Sequence, residues 1–352
     1  MLDTMGDATA VALVGLLSGL MLGLAARLGR FCTLGAIEDY FYSSSDLRLR
    51  MWGIAIGTAV TGSFVLIALG WLDPAAPIYL ATAWSPVASV LGGLVFGYGM
   101  AISGNCGFGA LARLGGGDLR SFVIVLVTGI SAYVVLSGPL ATLRITVFPV
   151  VETDPQALPG LAHALARLTG LPVALPGLAI GLAILAFVAA PVRVRRSRET
   201  LIWGAVVGLA IVGAWAGTSW VARHGWDDIA VSSHTFSKPL GDTLLYAMLS
   251  SGVALNFGTG SVLGVLAGAF LGSMIKGQFR WEACDDPREL RRQIGGAALM
   301  GLGAVVATGC SVGQGLSAMS LLAWSAPVTL ASILAGGYIG LRQLMLGFAP
   351  AE

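Results

Sequence analysis

The amino-acid sequence predicts an all-α integral membrane protein with about nine transmembrane helices and short re-entrant half-helices. Hydrophobic residues make up 56% of the 352 residues, and charged residues make up only 11%, against roughly 25% in ordinary soluble domains. Uncharged stretches such as 8–26 and 122–141 are long enough to cross a bilayer as helices. A water-soluble fold could not bury this much apolar surface, so we expect almost the whole chain to lie in a membrane.

Apolar runs bounded by charges, proline or glycine mark the nine predicted spans. They lie at 9–28, 50–70, 86–104, 121–141, 173–191, 201–218, 243–275, 294–308 and 327–346. The seventh run is too long for one plain helix, and its Gly- and Ser-rich part at 250–260 predicts a short helix, a break, and a span at 262–276. The first run follows no basic segment, so it is predicted to be a span of the mature protein and not a cleaved signal peptide.

Lysine and arginine residues are distributed unequally between the loops on the two sides of these spans. Sixteen lie on one side and four on the other. Because cytoplasmic loops carry the excess of positive charge, we predict a bacterial inner-membrane protein with its N-terminus outside and its C-terminus in the cytoplasm. Membrane lipid is the expected surrounding. The net charge of only +2 and the lack of a basic patch interleaved with aromatic residues argue against a nucleic-acid partner.

The two halves of the chain repeat one motif at an offset of 204 residues. GGLVFGYGMAISGNCGFG at 92–109 aligns with GAALMGLGAVVATGCSVG at 296–313 and matches one cysteine and four glycines. One connecting span between two four-span repeats makes them antiparallel in the membrane, as in many transporters. We therefore predict a first membrane repeat at 1–145, an outer loop and connecting span at 146–198, and a second, inverted repeat at 199–352.

Both copies of the motif end in glycines around a cysteine, and the segment that follows is too short to cross the membrane again. Each copy predicts a broken helix whose second half starts near the cysteine, where unpaired N–H groups and the helix dipole favour an anion. Glycine permits the tight reversal, and a β-carbon would crowd it. Alternatively, the small residues only allow close helix packing. The candidate binding residues are Gly104, Asn105, Cys106, Gly107, Gly109, Gly309, Cys310, Gly313 and Gln314.

A third candidate segment, GRFCTLGAIEDYF at 29–41, places Cys32 at the end of the first span. Gly35 is expected to start another half-helix, with Glu38 and Asp39 facing the cytoplasm. Cys284 lies in a charged loop and is assigned no role.

Metal, disulfide and nucleotide sites are not expected. The four cysteines form no CxxC pair, and the chain lacks a GxxxxGK[ST] loop, so we predict no cofactor. The three histidines lie in the predicted outer loops at 142–172 and 219–242. Nothing there fixes a ligand spacing, so His224, Asp227, Asp228 and His234 are expected to be solvated loop residues.

GRFC followed by GAIEDYF, with GNCGFG and GCSVGQG in inverted halves, resembles the YeeE/YedE family of bacterial sulfur-compound transporters. The resemblance extends over nearly the whole chain. It implies uptake of thiosulfate or a related sulfur oxyanion along a pathway lined by cysteine thiols, a role carried over to Cys32, Cys106 and Cys310. Which residue matches the family's middle cysteine stays open. The resemblance also implies a separate cytosolic sulfur-carrier protein as a partner.

The sequence leaves two alternatives to thiosulfate uptake. The same scaffold could pass another sulfur or selenium compound, or the chain could be a membrane-embedded sulfurtransferase that forms a cysteine persulfide. Such an enzyme needs an activating base beside the thiol, and no intramembrane histidine or lysine is apparent. A thiol is a weak, polarizable S–H donor, which suits transient contact with a soft sulfur. We therefore expect a permease and not an enzyme.

Overall fold

The computed structural model describes residues 6–154, 157–283 and 286–347, so Cys284 lies outside the described residues. Within these ranges the chain forms helices and no β-strand. The α-helices are α1 (Asp7–Leu28), α2 (Thr33–Tyr42), α3 (Leu47–Ala68), α4 (Ile78–Ala81), α5 (Pro86–Ser103), α6 (Gly107–Gly115), α7 (Leu119–Leu136), α8 (Ala141–Val147), α9 (Leu161–Thr169), α10 (Ala174–Ala189), α11 (Val192–Arg196), α12 (Arg198–His224), α13 (Lys238–Leu249), α14 (Phe257–Ile275), α15 (Pro287–Val306) and α16 (Ser325–Leu346). A π-helix, Gly313–Ala318, forms the middle of a further helical segment at 311–320.

Seven helical segments of the described chain are long and apolar enough to cross a membrane, counting a half-helix with the span before it. The prediction of an all-α membrane protein is thereby confirmed. The predicted fifth and eighth spans correspond to α10, which has only 16 residues, and to α15, whose first turns are charged. The count of nine spans stays a prediction. The seven segments are Asp7–Tyr42, Leu47–Ala68, Pro86–Gly115, Leu119–Leu136, Arg198–His224, Phe257–Ile275 and Ser325–Leu346.

The predicted seventh span is broken, as its Gly- and Ser-rich centre indicates. Helix α13 ends at Leu249, and α14 begins at Phe257, five residues before the predicted start. The earlier start has a local cause, because the side chain of Asn256 accepts a hydrogen bond of 2.8 Å from the N–H of Thr259 and caps the helix.

Helices α1 and α14 pack closely through glycines spaced four residues apart. A β-carbon at Gly19 would lie 2.5 Å from the carbonyl oxygen of Ser261, and a β-carbon at Gly264 would overlap the carbonyl oxygen of Leu16. Lipid provides little hydrophobic drive for helix association, so close backbone contact supplies the dispersion energy that holds such a pair together. The glycines are Gly15, Gly19 and Gly23 of α1 and Gly260, Gly264 and Gly268 of α14.

The glycines of the 204-residue repeat also lie at helix contacts. Gly99 of α5 packs against Gly296 of α15, where a β-carbon would lie 2.6 Å from a carbonyl oxygen. Gly97 of α5 faces α16, and its counterpart Gly301 of α15 faces α7. The predicted repeat would relate α5–α16 to α15–α7 and α1–α14 to α12–α3, and all four pairs are in contact. These helical glycines act in packing; the inverted repeat and its boundaries stay predictions.

Close glycine packing predicts that Gly264→Ala and Gly213→Ala have different effects on the stability of the protein. Gly264 faces the α1 backbone, whereas a β-carbon at Gly213 of α12 would meet no atom within 4 Å. Gly264→Ala should destabilise the protein by about 1–3 kcal/mol, because the helices must separate. Gly213→Ala should be neutral or stabilising by up to about 1 kcal/mol, because Ala favours helix.

The measurement is the thermal midpoint of the detergent-solubilised protein, followed by the loss of the monodisperse peak in size exclusion. Equal midpoints for the two variants would contradict the packing argument.

Candidate functional site

Three helical segments begin inside the bundle, and a cysteine stands immediately before the first residue of each. They are α2, α6 and the segment at 311–320. Each cysteine sulfur accepts a hydrogen bond from the backbone N–H three residues later, so each thiol satisfies a donor that the helix leaves unpaired. The pairs are Cys32 and Gly35 (3.5 Å), Cys106 and Gly109 (3.3 Å), and Cys310 and Gly313 (3.4 Å).

The sequence holds a signal for these caps that the motif comparison missed. The pattern C-x-x-G occurs three times, as CTLG, CGFG and CSVG, and each glycine is the donor to its cysteine. Two residues before each cysteine the backbone enters the left-handed region, with φ of 54° at Arg30, 78° at Gly104 and 56° at Thr308. This conformation turns the chain back on itself, so all three half-helices start through the same local geometry.

The glycine of each C-x-x-G leaves room for a polar group beside the sulfur. A β-carbon at any of the three glycines would press on, or overlap, a polar side chain from another part of the chain or from the preceding turn. Only a residue without a side chain lets these groups approach the start of the half-helix. At Gly35 the neighbour is the Arg48 guanidinium. A β-carbon at Gly109 would lie 3.3 Å from the Asn105 amide oxygen, and one at Gly313 would lie 2.7 Å from the Thr235 hydroxyl oxygen.

The loop at 225–237 completes the surroundings of Cys310. The N–H of Phe236 donates to the Cys310 sulfur at 3.3 Å, and the hydroxyl of Thr235 lies 3.6 Å from it. The carbonyl of His234 accepts a hydrogen bond of 2.7 Å from Ser317, which ties the loop to the half-helix. This loop was expected to be solvated, but the stretch that reaches Cys310 is buried, because its polar groups find partners inside the bundle.

The expectation of solvated loop residues is wrong for His234. His224 is exposed, as expected, together with Asp227 and Asp228. His234 is fully buried, and its Nδ1 lies 2.6 Å from the hydroxyl of Ser261. His163 of α9 is also buried; burial lowers the pKa of its imidazole, and the nearby charge of Arg167 lowers that pKa further.

Cys106 and Cys310 are buried in one aromatic core, which closes the middle of the protein. The rings of Phe31 and Phe108 lie 6.5 Å apart, and those of Phe108 and Phe236 lie 5.2 Å apart. Phe31 precedes Cys32 and Phe108 belongs to α6, whereas Phe236 comes from the loop at 225–237 and donates its N–H to Cys310. Cys106 and Cys310 belong to one buried hydrophobic cluster and Cys32 packs against it, so the structure brings the three predicted cysteines together.

On one side of this core lies a cavity of about 310 Å³, which we call the basic vestibule. Cys32 lines it, and so does Asn105, which precedes Cys106. The starts of both α2 and α6 therefore meet this cavity, and both present the positive end of a helix dipole to it. A single acidic residue, Glu38, lines the cavity, whereas its basic residues are Arg27, Arg30, Arg48, Arg113 and Lys276.

On the other side of the core lies a smaller cavity of about 60 Å³, which we call the Arg144 pocket. Gln314 of the third half-helix lines it beside Tyr79, Thr308 and Arg144. The amide nitrogen of Gln314 donates to the carbonyl oxygens of Ala307 and Thr308, at 2.9 and 3.2 Å, while its amide oxygen is buried without a partner among the described residues. The Arg144 pocket thus offers one cation and several neutral polar groups.

The predicted binding residues divide among these three regions. Cys106, Cys310, Gly107 and Gly313 are buried between the cavities. Gly309 lies at the reversal before Cys310, where a β-carbon would be 3.1 Å from the Gln314 side chain. Cys32, Gly104, Asn105 and Gly109 line the basic vestibule, and Gln314 lines the Arg144 pocket.

The geometry leaves each thiol hydrogen free to donate. Each sulfur already accepts from a backbone N–H, so its S–H points elsewhere, and a thiol has only this one weak donor. Cys106 and Cys310 make their hydrogen bonds within the described chain with backbone N–H and hydroxyl groups, and not with an ionisable side chain. Such a site can contact an anion weakly.

Comparisons with known proteins agree with the resemblance seen in the motifs. A sequence model described as sulphur transport matches residues 27–339, a range that includes all three half-helix cysteines. The chain is 27% identical to the thiosulfate transporter TsuA of Escherichia coli K12, over 97% of this chain and 93% of that protein. It is 26% identical to the thiosulfate transporter TsuA of Spirochaeta thermophila, over 89% of this chain and 94% of that protein.

The chain reversal before Cys106 predicts that substitutions of Gly104 lower the stability of the protein by different amounts. A β-carbon there would meet nothing within 4 Å, so the expectation of crowding is wrong at Gly104, and the constraint is its φ of 78°. Gly104→Asn should be tolerated best, Gly104→Ala should cost roughly 1–2 kcal/mol, and Gly104→Val should cost more, because β-branched residues resist this conformation.

Gly107→Ala is the matched control, since its β-carbon would make only ordinary contacts, the nearest at 3.4 Å from Leu240. The thermal midpoints of the purified variants measure this order of stability. If Gly104→Val were as stable as Gly104→Asn, the left-handed turn would not be what positions Cys106.

Proposed function

Because the chain belongs to the sulphur transport family, we propose that it is an inner-membrane permease that takes up thiosulfate. The YeeE/YedE resemblance is confirmed by this membership and by the relatives named as thiosulfate transporters. The observation that carries the proposal is the placement of the three cysteines at half-helix starts, with Cys106 and Cys310 buried between two cavities and Cys32 lining one of them. An anion moving from one cavity to the other would pass these thiols.

The chemistry of the thiols suits passage better than retention. Thiosulfate carries a soft terminal sulfur, which a polarizable S–H group can contact weakly. The half-helix dipoles favour negative charge at the same positions. Conduction needs binding that is favourable enough to attract an ion and weak enough to release it, and an arginine at the aromatic core would hold a dianion too strongly. We therefore assign the transient contacts to the cysteines and to the glycine N–H groups beside them.

The proposed orientation follows from the charges on the loops. The basic vestibule would face the cytoplasm, and the Arg144 pocket would face the outside, with the N-terminus outside and the C-terminus inside. Thiosulfate would enter at the Arg144 pocket and pass Cys310, then Cys106, then Cys32. Exposed apolar residues on α7, α10 and α14 would contact lipid. A cytosolic sulfur-carrier protein would receive the product on the vestibule side.

We propose transport and not catalysis. A sulfurtransferase needs a cysteine whose pKa is lowered by a base or a cation, and among the described residues the two most buried thiols form hydrogen bonds with backbone N–H groups and a hydroxyl. Another sulfur or selenium oxyanion of similar size is the alternative cargo.

The orientation predicts the result of reporter fusions. A reporter that is active only in the cytoplasm should be active when fused after Arg198 and inactive when fused after Asp154, because α10 separates the two points. Enzyme activity in intact cells, normalised to the amount of fusion protein, is the measurement. The reverse pattern would exchange the sides assigned to the basic vestibule and the Arg144 pocket.

The cysteine pathway predicts the growth of single variants. In a host without other thiosulfate uptake, Cys106→Ala and Cys310→Ala should abolish growth on thiosulfate while the protein level in the membrane stays near normal. A packing role alone would cost on the order of 1 kcal/mol, because Ala lacks only one small sulfur, and growth would then continue. Cys284→Ala is the control and should grow like the parent.

Cys→Ser at the same positions tests whether the side chain acts only as a hydrogen-bond donor or also through its soft, polarizable sulfur. Serine keeps a donor of similar size but is harder and more strongly hydrated, so we expect impaired uptake at Cys106 and Cys310. Full growth of both alanine variants would refute the pathway without refuting transport.

A further inference from the structure

The basic vestibule contains more positively charged side chains than are paired with other groups of the protein. Arg27 donates to the hydroxyl of Ser273 at 2.6 Å, and Lys276 donates to carbonyl oxygens at the end of α1 at 2.9 and 3.0 Å. Arg48 forms an ion pair with Asp39 at 3.1 Å. These three cations therefore have structural partners that account for their positions.

Two further arginines have no such explanation. Arg30 and Arg113 line the vestibule, are exposed to it, and make no hydrogen bond or ion pair with any described residue. Arg30 adopts the left-handed backbone in the turn that leads to Cys32, and this turn lines the cavity. At the inner end, Asn105 is only 3% exposed, and its side-chain amide has no hydrogen-bond partner within the described ranges. Because this amide opens on the cavity and forms no hydrogen bond with a described residue, it is available to a polar ligand.

We propose that the basic vestibule is a second anion-binding site, in which Arg30, Arg113 and the Asn105 amide hold a sulfur oxyanion after it leaves the cysteine core. The proposal rests on the proposed function for the identity of its ligand. It differs from the cysteine pathway in its chemistry, because guanidinium groups bind the hard oxygens of an oxyanion strongly, whereas thiols contact sulfur weakly. Cys32 lines the same cavity, so one bound ion could present its oxygens to the arginines and its soft sulfur to the thiol.

Glu38 gives this site a means of release. It is the one carboxylate among the residues that line the cavity, and it has no ion pair within the described chain. Its negative charge opposes the retention of an anion, so it lowers the affinity that the cations would otherwise produce. The site therefore concentrates anions near the core without trapping them, and substitutions of opposite sign should have opposite effects.

Cys32 is a built-in probe for this site, because it is partly exposed whereas Cys106 and Cys310 are buried. The purified protein with Cys284→Ser, in nanodiscs, is treated with an anionic methanethiosulfonate and with its trimethylammonium analogue. The ratio of the two modification rates reports the local potential at the thiol. Cys32→Ser in the same background gives the blank. Both faces are accessible in nanodiscs and no transport is needed, so the result does not depend on the growth assays.

The ratio of the anionic to the cationic modification rate should fall when a positive charge is removed from the vestibule and rise when the negative charge is removed. Arg30→Gln and Arg113→Gln should each lower the anionic-to-cationic ratio by about threefold, and the double variant by about tenfold. Glu38→Gln should raise it by about threefold, and added salt should reduce every difference. Arg30→Lys and Arg113→Lys should keep the parental ratio, which controls for folding. Arg196→Gln is the matched control, since Arg196 is exposed on α11 and does not line the vestibule.

Protection by the ligand completes the test. Thiosulfate should slow the modification of Cys32, and the half-protecting concentration should rise about tenfold in the double arginine variant. A double variant with the parental rate ratio and the parental protection would overturn the proposal and leave these arginines as anchors to lipid headgroups. If the site binds as expected but the alanine variants of Cys106 and Cys310 still transport, the vestibule site stands and the cysteine pathway fails.

Discussion

The structure depends on how helices can begin inside a membrane protein without leaving backbone N–H groups unpaired. An unpaired polar group in hydrocarbon costs several kcal/mol, so helices normally begin at the membrane surface. Here three half-helices begin in the interior, and a cysteine sulfur accepts one of the free N–H groups in each case. At the third, the loop that contains Phe236 adds a further donor to the same sulfur. The residual positive charge of these helix starts is then available to an anion.

Such half-helices need rigid surroundings, and glycine-mediated packing supplies them. The α1–α14 and α5–α15 contacts bring backbones close enough that a single β-carbon at Gly19 or Gly99 would overlap the neighbouring helix. Each cysteine segment follows directly on α1, α5 or α15, one of the helices in these two pairs. The geometry of the thiols is therefore set by helices that cannot separate without losing their own packing.

The two cavities and the core between them divide the chemistry of the proposed pathway. The core is narrow, aromatic and lined by thiols, so it offers only weak contacts. The basic vestibule is wide and carries guanidinium groups, so it can bind an anion more strongly once the ion is hydrated again. Placing the strong cations outside the narrow region avoids an ion pair that would stop conduction.

Many features of this protein follow from local sequence and were predictable. The apolar runs indicated the membrane class because span length and composition are properties of single segments. The break before α14 and the half-helices after α5 and α15 were likewise visible as glycines beside polar residues or cysteine. The C-x-x-G pattern is also local, and the sequence holds it at Cys32, Cys106 and Cys310. A comparison of the three cysteine segments with one another would have found the pattern.

Other features depend on contacts between distant parts of the chain. The sequence indicates an outer loop at Thr235 and Phe236, yet both residues lie against Cys310, about 75 residues away in sequence. The reason is that Ser261 and Ser317 form hydrogen bonds with the preceding residue, His234, inside the bundle. The basic vestibule likewise forms only when α2, α6 and the end of α14 meet, and no single segment carries its excess of charge. The sequence by itself thus determined where helices run and where they break, because hydropathy and backbone conformation act over a few residues. Which polar groups surround each thiol was decided by tertiary packing, since hydrogen bonds and charge depend on distance in space.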